Sequence, residues 1–142
     1  MLQRDYLLRE AERFARAMGE VLTSLIGARK GGIPHQAFEI ADEALVAKAN
    51  IQLHEVLTSP PDELLHLLTH TMNLQPSHLE VLADILIELA ESSRMYGART
   101  EQEDPLLLLK KAQIMLEHAT YNDSLYSLER ADKLNSLNTK LS

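Results

Sequence analysis

Between positions 79 and 90 the sequence is apolar almost all the way round a helix: Leu79, Val81, Leu82, Ala83, Ile85, Leu86, Ile87, Leu89 and Ala90 leave only a narrow polar line at Glu80, Asp84, Glu88 and Glu91. A helix with one apolar stripe can lie on a surface, whereas a helix that is apolar on most sides has to be surrounded. The segment therefore predicts the buried centre of an all-α domain, with the other elements packed around it. The polar line reads as the solvent edge of that central helix.

The remaining periodicity supplies those elements. Leu7, Ala11, Phe14, Met18, Val21 and Leu25 recur at spacings of four and three and predict a helix over about 2–26, ended by Gly27 and turned by Gly31-Gly32-Ile33-Pro34. Its opposite side carries charges, with Asp5/Arg9 and Glu12/Arg16 at i,i+4. A second helix over about 34–49 repeats small residues at Ala37, Ala41, Ala44 and Ala47, which let a neighbour approach closely. A short apolar piece, 51–57, leads to a third helix over about 60–73, with Ser59 as its N-cap and Pro60 as its first residue. Ser77-His78-Leu79-Glu80 fits a capping box for the central helix, which Gly97 stops. Pro105 starts a fifth helix with Leu109, Ala112, Met115, Leu116 and Ala119 inward. A sixth is expected over about 123–139, with Asp123 as cap and Leu125, Leu128, Ala131, Leu134, Leu137 and Leu141 on one side; residues 139–142 are expected to fray. Six helices joined mostly by short loops predict antiparallel hairpins, at about 2–50 and 76–120, within one domain spanning 1–142.

Composition narrows the function classes. The chain has no cysteine, so disulfides, thiolate metal sites and cysteine nucleophiles are excluded. Net charge is -7, and residues 31–93 hold one Lys/Arg against ten Asp/Glu. Such a body repels a polyanion, and no basic stripe with interleaved aromatics offers a nucleic-acid surface. The longest leucine run, 106–109, is far below the roughly 20 apolar residues of a bilayer crossing. The charged opening turns are not those of an export leader, so the expected location is cytoplasmic.

Residues 32–45, Gly-Ile-Pro-His-Gln-Ala-Phe-Glu-Ile-Ala-Asp-Glu-Ala-Leu, resemble the second half of a tetratricopeptide repeat, with Gly32 at the turn and Ala37 and Ala44 at the small packing positions. Residues 82–116 resemble a looser second copy, with Tyr96-Gly97 before the turn and Lys111-Ala112 in the second helix. Its turn is longer by about three residues, with Pro105 near the small-residue position. In the first copy Leu25 and Ala28 stand where that family usually has glycine and tyrosine. The opening Met-Leu-Gln-Arg-Asp-Tyr-Leu-Leu-Arg, taken with the two hairpins, also resembles a family of small bacterial proteins, without an assigned activity, that begin this way. The resemblance implies tetratricopeptide-like packing in a bacterial cytoplasm and carries over no catalytic residue.

Chemistry-bearing patterns are sparse. Glu63, His66 and His70 lie at i, i+3 and i+7 on one helical face and are candidate ligands for a divalent metal. The glutamate base of a His-Glu-x-x-His motif is missing, since Leu67 stands there. There is no Gly-x-Ser-x-Gly elbow and no phosphate-binding glycine loop. No cofactor is implied and no catalytic residue is singled out, so the expectation is not an enzyme. Stacked hairpins suit a protein or peptide partner, although the positions of a carboxylate clamp hold Leu22 and Ile26. Arg9, Arg13 and Arg16 are candidate contacts for an acidic partner, and the stripe of the first helix could pair with a second copy. The expected function is a non-catalytic protein-interaction or scaffolding module; a metal- or small-molecule-binding protein using the His66/His70 face is the alternative.

Overall fold

The computed structural model describes residues 2–123 and 128–142, which form seven α-helices packed antiparallel, and no strand occurs among them. Helix α1 (Leu2–Lys30) runs four residues past its expected end, because Gly27 sits exposed inside it without breaking the backbone ladder. The stop comes at Gly32, whose φ of 82° is the left-handed conformation that glycine adopts without a Cβ clash. There the Ile33 amide donates to the Ala28 carbonyl at 2.9 Å and the Gly32 amide to the Arg29 carbonyl at 3.3 Å, the two bonds of a Schellman cap. A 3₁₀ turn at Pro34–Gln36 then leads into α2 (Ala37–Ala49). Ala37, Ala41 and Leu45 are fully buried against the body; Ala44 is half-buried, and Ala47 points to solvent.

The apolar piece at 51–57 is itself helical, α3 (Leu53–Thr58), and it raises the number of helices from the expected six to seven. Leu53, Val56 and Leu57 bury one face of this short helix, and tertiary packing holds it where length alone would not. Lys111, buried on a later helix, donates its ammonium to the Ser59 carbonyl just beyond α3; burial pushes that lysine below its ordinary range. Ser59 is therefore not an N-cap: its hydroxyl donates back to the Glu55 carbonyl at 2.6 Å, and Pro60 precedes α4 (Pro61–His66). A π turn at Leu67–Thr71 continues α4.

Helix α5 (Pro76–Tyr96) starts one residue before the predicted capping box, with Gln75 as N-cap and Pro76 preset for the first helical position. Its side chains are buried on most sides, as the sequence requires, with α6 (Pro105–Asn122) its most extensive neighbour and α1 the next. The Asp104 carboxylate caps α6 by accepting from the Leu106 amide at 3.1 Å. Helix α7 (Leu128–Leu141) packs mainly on α6 and remains helical to Leu141, so the expected fraying from 139 is not seen. Leu137 is its one fully buried leucine; Leu134 and Leu141 pack partly buried, and Leu128 is exposed. Leu125, expected on the same stripe, lies outside the described residues.

The acidic line of α5 is not a solvent edge. Glu88 is buried against Arg29 of α1; Glu80 accepts from Arg130 at 3.2 Å and Lys133 at 3.1 Å; Asp84 accepts from Lys133 at 3.0 Å; and Glu91 lies 3.6 Å from Lys140. The carboxylates sit between helices, where burying them requires bases from neighbouring elements.

The long α5–α6 connection is folded around one carboxylate. Glu103 is buried and accepts from the Tyr96 hydroxyl at 2.8 Å and from the Arg99 amide and Nε at 3.2 Å, while Ser93 donates to its carbonyl. The Arg99 guanidinium also donates to the His35 carbonyl at 2.9 Å, tying this loop to the α1–α2 turn. Burial alone would push the Glu103 carboxyl up, but the bonds from Tyr96 and Arg99 outweigh it and hold the group below its ordinary 4.5. Burial and the same carboxylate push the Tyr96 phenol up to about 12. A depressed carboxyl contributes stability above its unfolded value and loses it as pH falls through the folded one. Glu103→Gln is therefore expected to cost about 1–3 kcal/mol at pH 7 and to flatten the fall in stability on acidification below pH 4.5. Urea midpoints at pH 3, 4, 5 and 7 measure both effects, and an unchanged acid limb counts against this role for Glu103.

Candidate functional site

Two asparagines shape the surface beside α1. Asn50 and Asn73 both have φ of 54°, a left-handed conformation that asparagine accepts more readily than other side-chain-bearing residues. Asn50 ends α2 and Asn73 follows the π turn, and each is succeeded by a buried apolar residue, Ile51 or Leu74, whose amide reaches back to Leu45 or Leu68 at 3.0 and 2.9 Å. The two caps turn the chain on the same side of α1 and leave an open concavity between them and that helix.

The concavity is a continuous groove. Its first section, of about 430 Å³, lies between Leu7, Ala11 and Phe14 on α1 and Met72, Leu74 and His78 across from them. Phe14 and Met72 are shared with a second section of about 390 Å³, which adds Ile51, Val56 and Leu67. Glu55, Leu67 and Thr71 pass into a third of about 400 Å³, which reaches Glu63 and His66. At the α1 end the mouth opens at Leu7, which is 62% exposed.

His78 fixes the floor. Its Nδ1 accepts from the Gln75 amide at 3.1 Å, so the ring proton resides on Nε2, which donates to the Ala11 carbonyl at 3.1 Å. The ring meets Phe14 edge-on with centroids 4.9 Å apart. One buried imidazole thus fastens the start of α5 to the middle of α1 and seats the phenyl ring that joins the first two sections.

The residues singled out from sequence fall at different places on this surface. Arg13 lines the α1 rim and pairs with Glu10 at 3.0 Å. Arg9 and Arg16 are exposed, do not line the groove, and make no ion pair among the described residues; the expected pairs Asp5/Arg9 and Glu12/Arg16 do not form. Lys48, on the facing rim, bonds Glu20 at 2.7 Å. Glu63 and His66 line the far end. The His66 and His70 rings lie 4.8 Å apart at 36°, both exposed, but among the described residues no three His, Asp or Glu side chains gather as a metal-binding group.

No protein-family model, curated protein or solved structure matches this chain. It is a small all-helical protein, and no helix among the described residues is long and apolar enough to cross a membrane.

Phe14, Met72, His78 and the two asparagine caps were not singled out by sequence patterns as site residues. Phe14 reads there as seam and His78 as part of a cap. The signal that was present is the repeated pair of an asparagine before a buried aliphatic, Asn50-Ile51 and Asn73-Leu74, which marks a helix C-terminus.

Proposed function

We propose that this chain is a non-catalytic protein-interaction module whose groove takes one amphipathic helix of a partner protein. The observation that carries the reading is the succession of three open sections that share lining residues from Leu7 through Phe14 and Met72 to Leu67, with apolar and polar side chains mixed along the lining, instead of one closed small-molecule pocket. Exposed Leu7 and half-buried Phe14, Met72 and Leu67 spaced along such a groove suit the anchors at i, i+3/i+4 and i+7 of a helix laid into it. No strand among the described residues offers an edge to an extended peptide. The rims are also polarised. Arg13, paired with Glu10, and Lys48, paired with Glu20, flank one end, while Glu55 and Glu63 make the other end acidic, which favours a helix whose positive N-terminus lies there. The two hairpins, α1–α2 and α5–α6, with Ala37 and Ala41 allowing close approach, are consistent with tetratricopeptide-like stacking, an arrangement that presents such surfaces.

Selection of phage-displayed 15-residue amphipathic helices against the full chain tests the reading. The expected result is an enriched apolar i, i+3/i+4, i+7 pattern whose binding weakens about tenfold or more on Leu7→Asp, a change at an exposed position that leaves the core intact. Failure to enrich over a Leu7→Asp/Glu55→Arg counter-target removes it.

A further inference from the structure

The seat of α7 on α5 and α6 is rich in charge pairs. Helix α7 buries Leu137 fully, and with it Arg130, a charged residue only 5% exposed. Arg130 Nη1 donates to the Ala119 carbonyl at 3.3 Å and to Asp123 at 3.0 Å, and Nη2 reaches Glu80 at 3.2 Å. Lys133 spans Glu80 and Asp84, and Lys140 reaches Glu91. Three bases at positions i, i+3 and i+10 thus meet three carboxylates along one side of α5. The contact is a row of charge pairs over a thin apolar strip.

The strip is also incompletely filled. An open concavity of about 330 Å³ runs beside α7, lined by Asp84 and Ile87 of α5 and by Asp132, Lys133, Ser136, Leu137 and Lys140 of α7. Ile87 stays half-buried there. The small, exposed Ser136 stands on the rim of this opening, where a larger apolar residue would cover Ile87. Charge pairing of this kind weakens with salt, and an element with little apolar burial is among the first to open.

We propose that the acidic face of α5, with the adjoining surface of α6, is a receptor for a basic amphipathic helix of a partner chain, and that α7 occupies it in cis as a displaceable pseudo-ligand. The partner helix presents Arg or Lys at the places of Arg130, Lys133 and Lys140, leucine-like residues at the places of Leu134, Leu137 and Leu141, and an apolar residue at the place of Ser136. The bases reproduce the charge row that the seat accepts, and the apolar residue covers Ile87 beside the opening that α7 leaves. This surface is separate from the groove beside α1, and the inference does not depend on that groove's occupant.

The test uses the full chain and fluorescent peptides covering residues 128–142. The peptide with Ser136→Leu is expected to bind the unmodified protein at least about threefold more tightly than the native-sequence peptide, since the leucine covers half-buried Ile87. Its affinity should fall by about tenfold or more between 0.05 and 0.5 M salt. Binding should be lost when Glu80→Gln and Asp84→Asn are introduced together, and the same peptide with Arg130, Lys133 and Lys140 replaced by glutamine should not bind. Equal affinity of the native and Ser136→Leu peptides, or binding by the glutamine peptide, overturns the proposal. A second measurement needs no variant. Hydrogen exchange on the unmodified protein should show α7 amides opening before those of α5 and α6, and increasingly so with salt. Exchange of α7 only through global unfolding overturns displacement, as does light scattering showing that released α7 exchanges between two copies of this chain.

Discussion

Replacing Leu86 by alanine is expected to lower the free energy of unfolding by about 3–5 kcal/mol, the range for a fully enclosed leucine whose surroundings cannot collapse into the space it leaves. Leu86 has no exposed surface and stands on the helix against which both α6 and α1 pack. A cavity there cannot be closed by shifting one neighbour, because Leu82, Leu89 and Ala90 on the same helix hold the backbone in register with both partners. The change deletes side-chain carbon and introduces no charge or turn, so the urea dependence should keep its slope while the midpoint falls. A loss below about 1 kcal/mol would mean that α5 is not the centre around which the chain is organised.

Arg130→Ala is expected to have a comparable energy but a different distribution. Removing one member of a buried ionic cluster costs about 3–5 kcal/mol, because the remaining charges stay desolvated without their partner. Glu80 keeps Lys133 after the change, while the Ala119 carbonyl and Asp123 lose the Arg130 guanidinium. The expected loss falls on the docking of α7. Native-state hydrogen exchange should show α7 amides losing protection by about 3 kcal/mol or more, with α5 and α6 amides changing by less than half as much. A uniform drop across all helices would place Arg130 in the global core.

The sequence patterns that proved decisive are those where one physical requirement had one solution. The all-round apolarity at 79–90 could only be a surrounded helix, and Gly97 and Pro105 could only be a stop and a start in that order. The inward set Leu109, Ala112, Met115, Leu116 and Ala119 is buried as spaced. Features that depend on distant partners were not legible. The line Glu80, Asp84, Glu88 and Glu91 looks the same in sequence whether it faces water or bases, and its partners lie on α1 and α7, up to 59 positions away. Helix α3 is shorter than local propensity can stabilise, so only its packing reveals it. The groove was hidden for a related reason. Phe14 has the periodicity of a seam residue, and its role as floor depends on where Met72 and His78 arrive from the far side of two asparagine turns.

The pairing of α1 with α5 also sets a timetable for synthesis. Met18, Val21 and Leu25 are completely covered in the folded chain, yet α5, a principal neighbour of α1, is made about fifty residues later. At about 5–20 residues per second this leaves the α1–α2 hairpin half-packed for several seconds on the ribosome. The α5–α6 hairpin joins helices adjacent in sequence through the 97–104 connection and can form as soon as both helices emerge, because contacts near in sequence cost least to close. It then supplies the surface onto which the waiting N-terminal hairpin folds back. Molecules stalled before α5 emerges leave open the α1 surface that α5 covers, which makes that interval the one at which this chain is most open to chaperones or to aggregation.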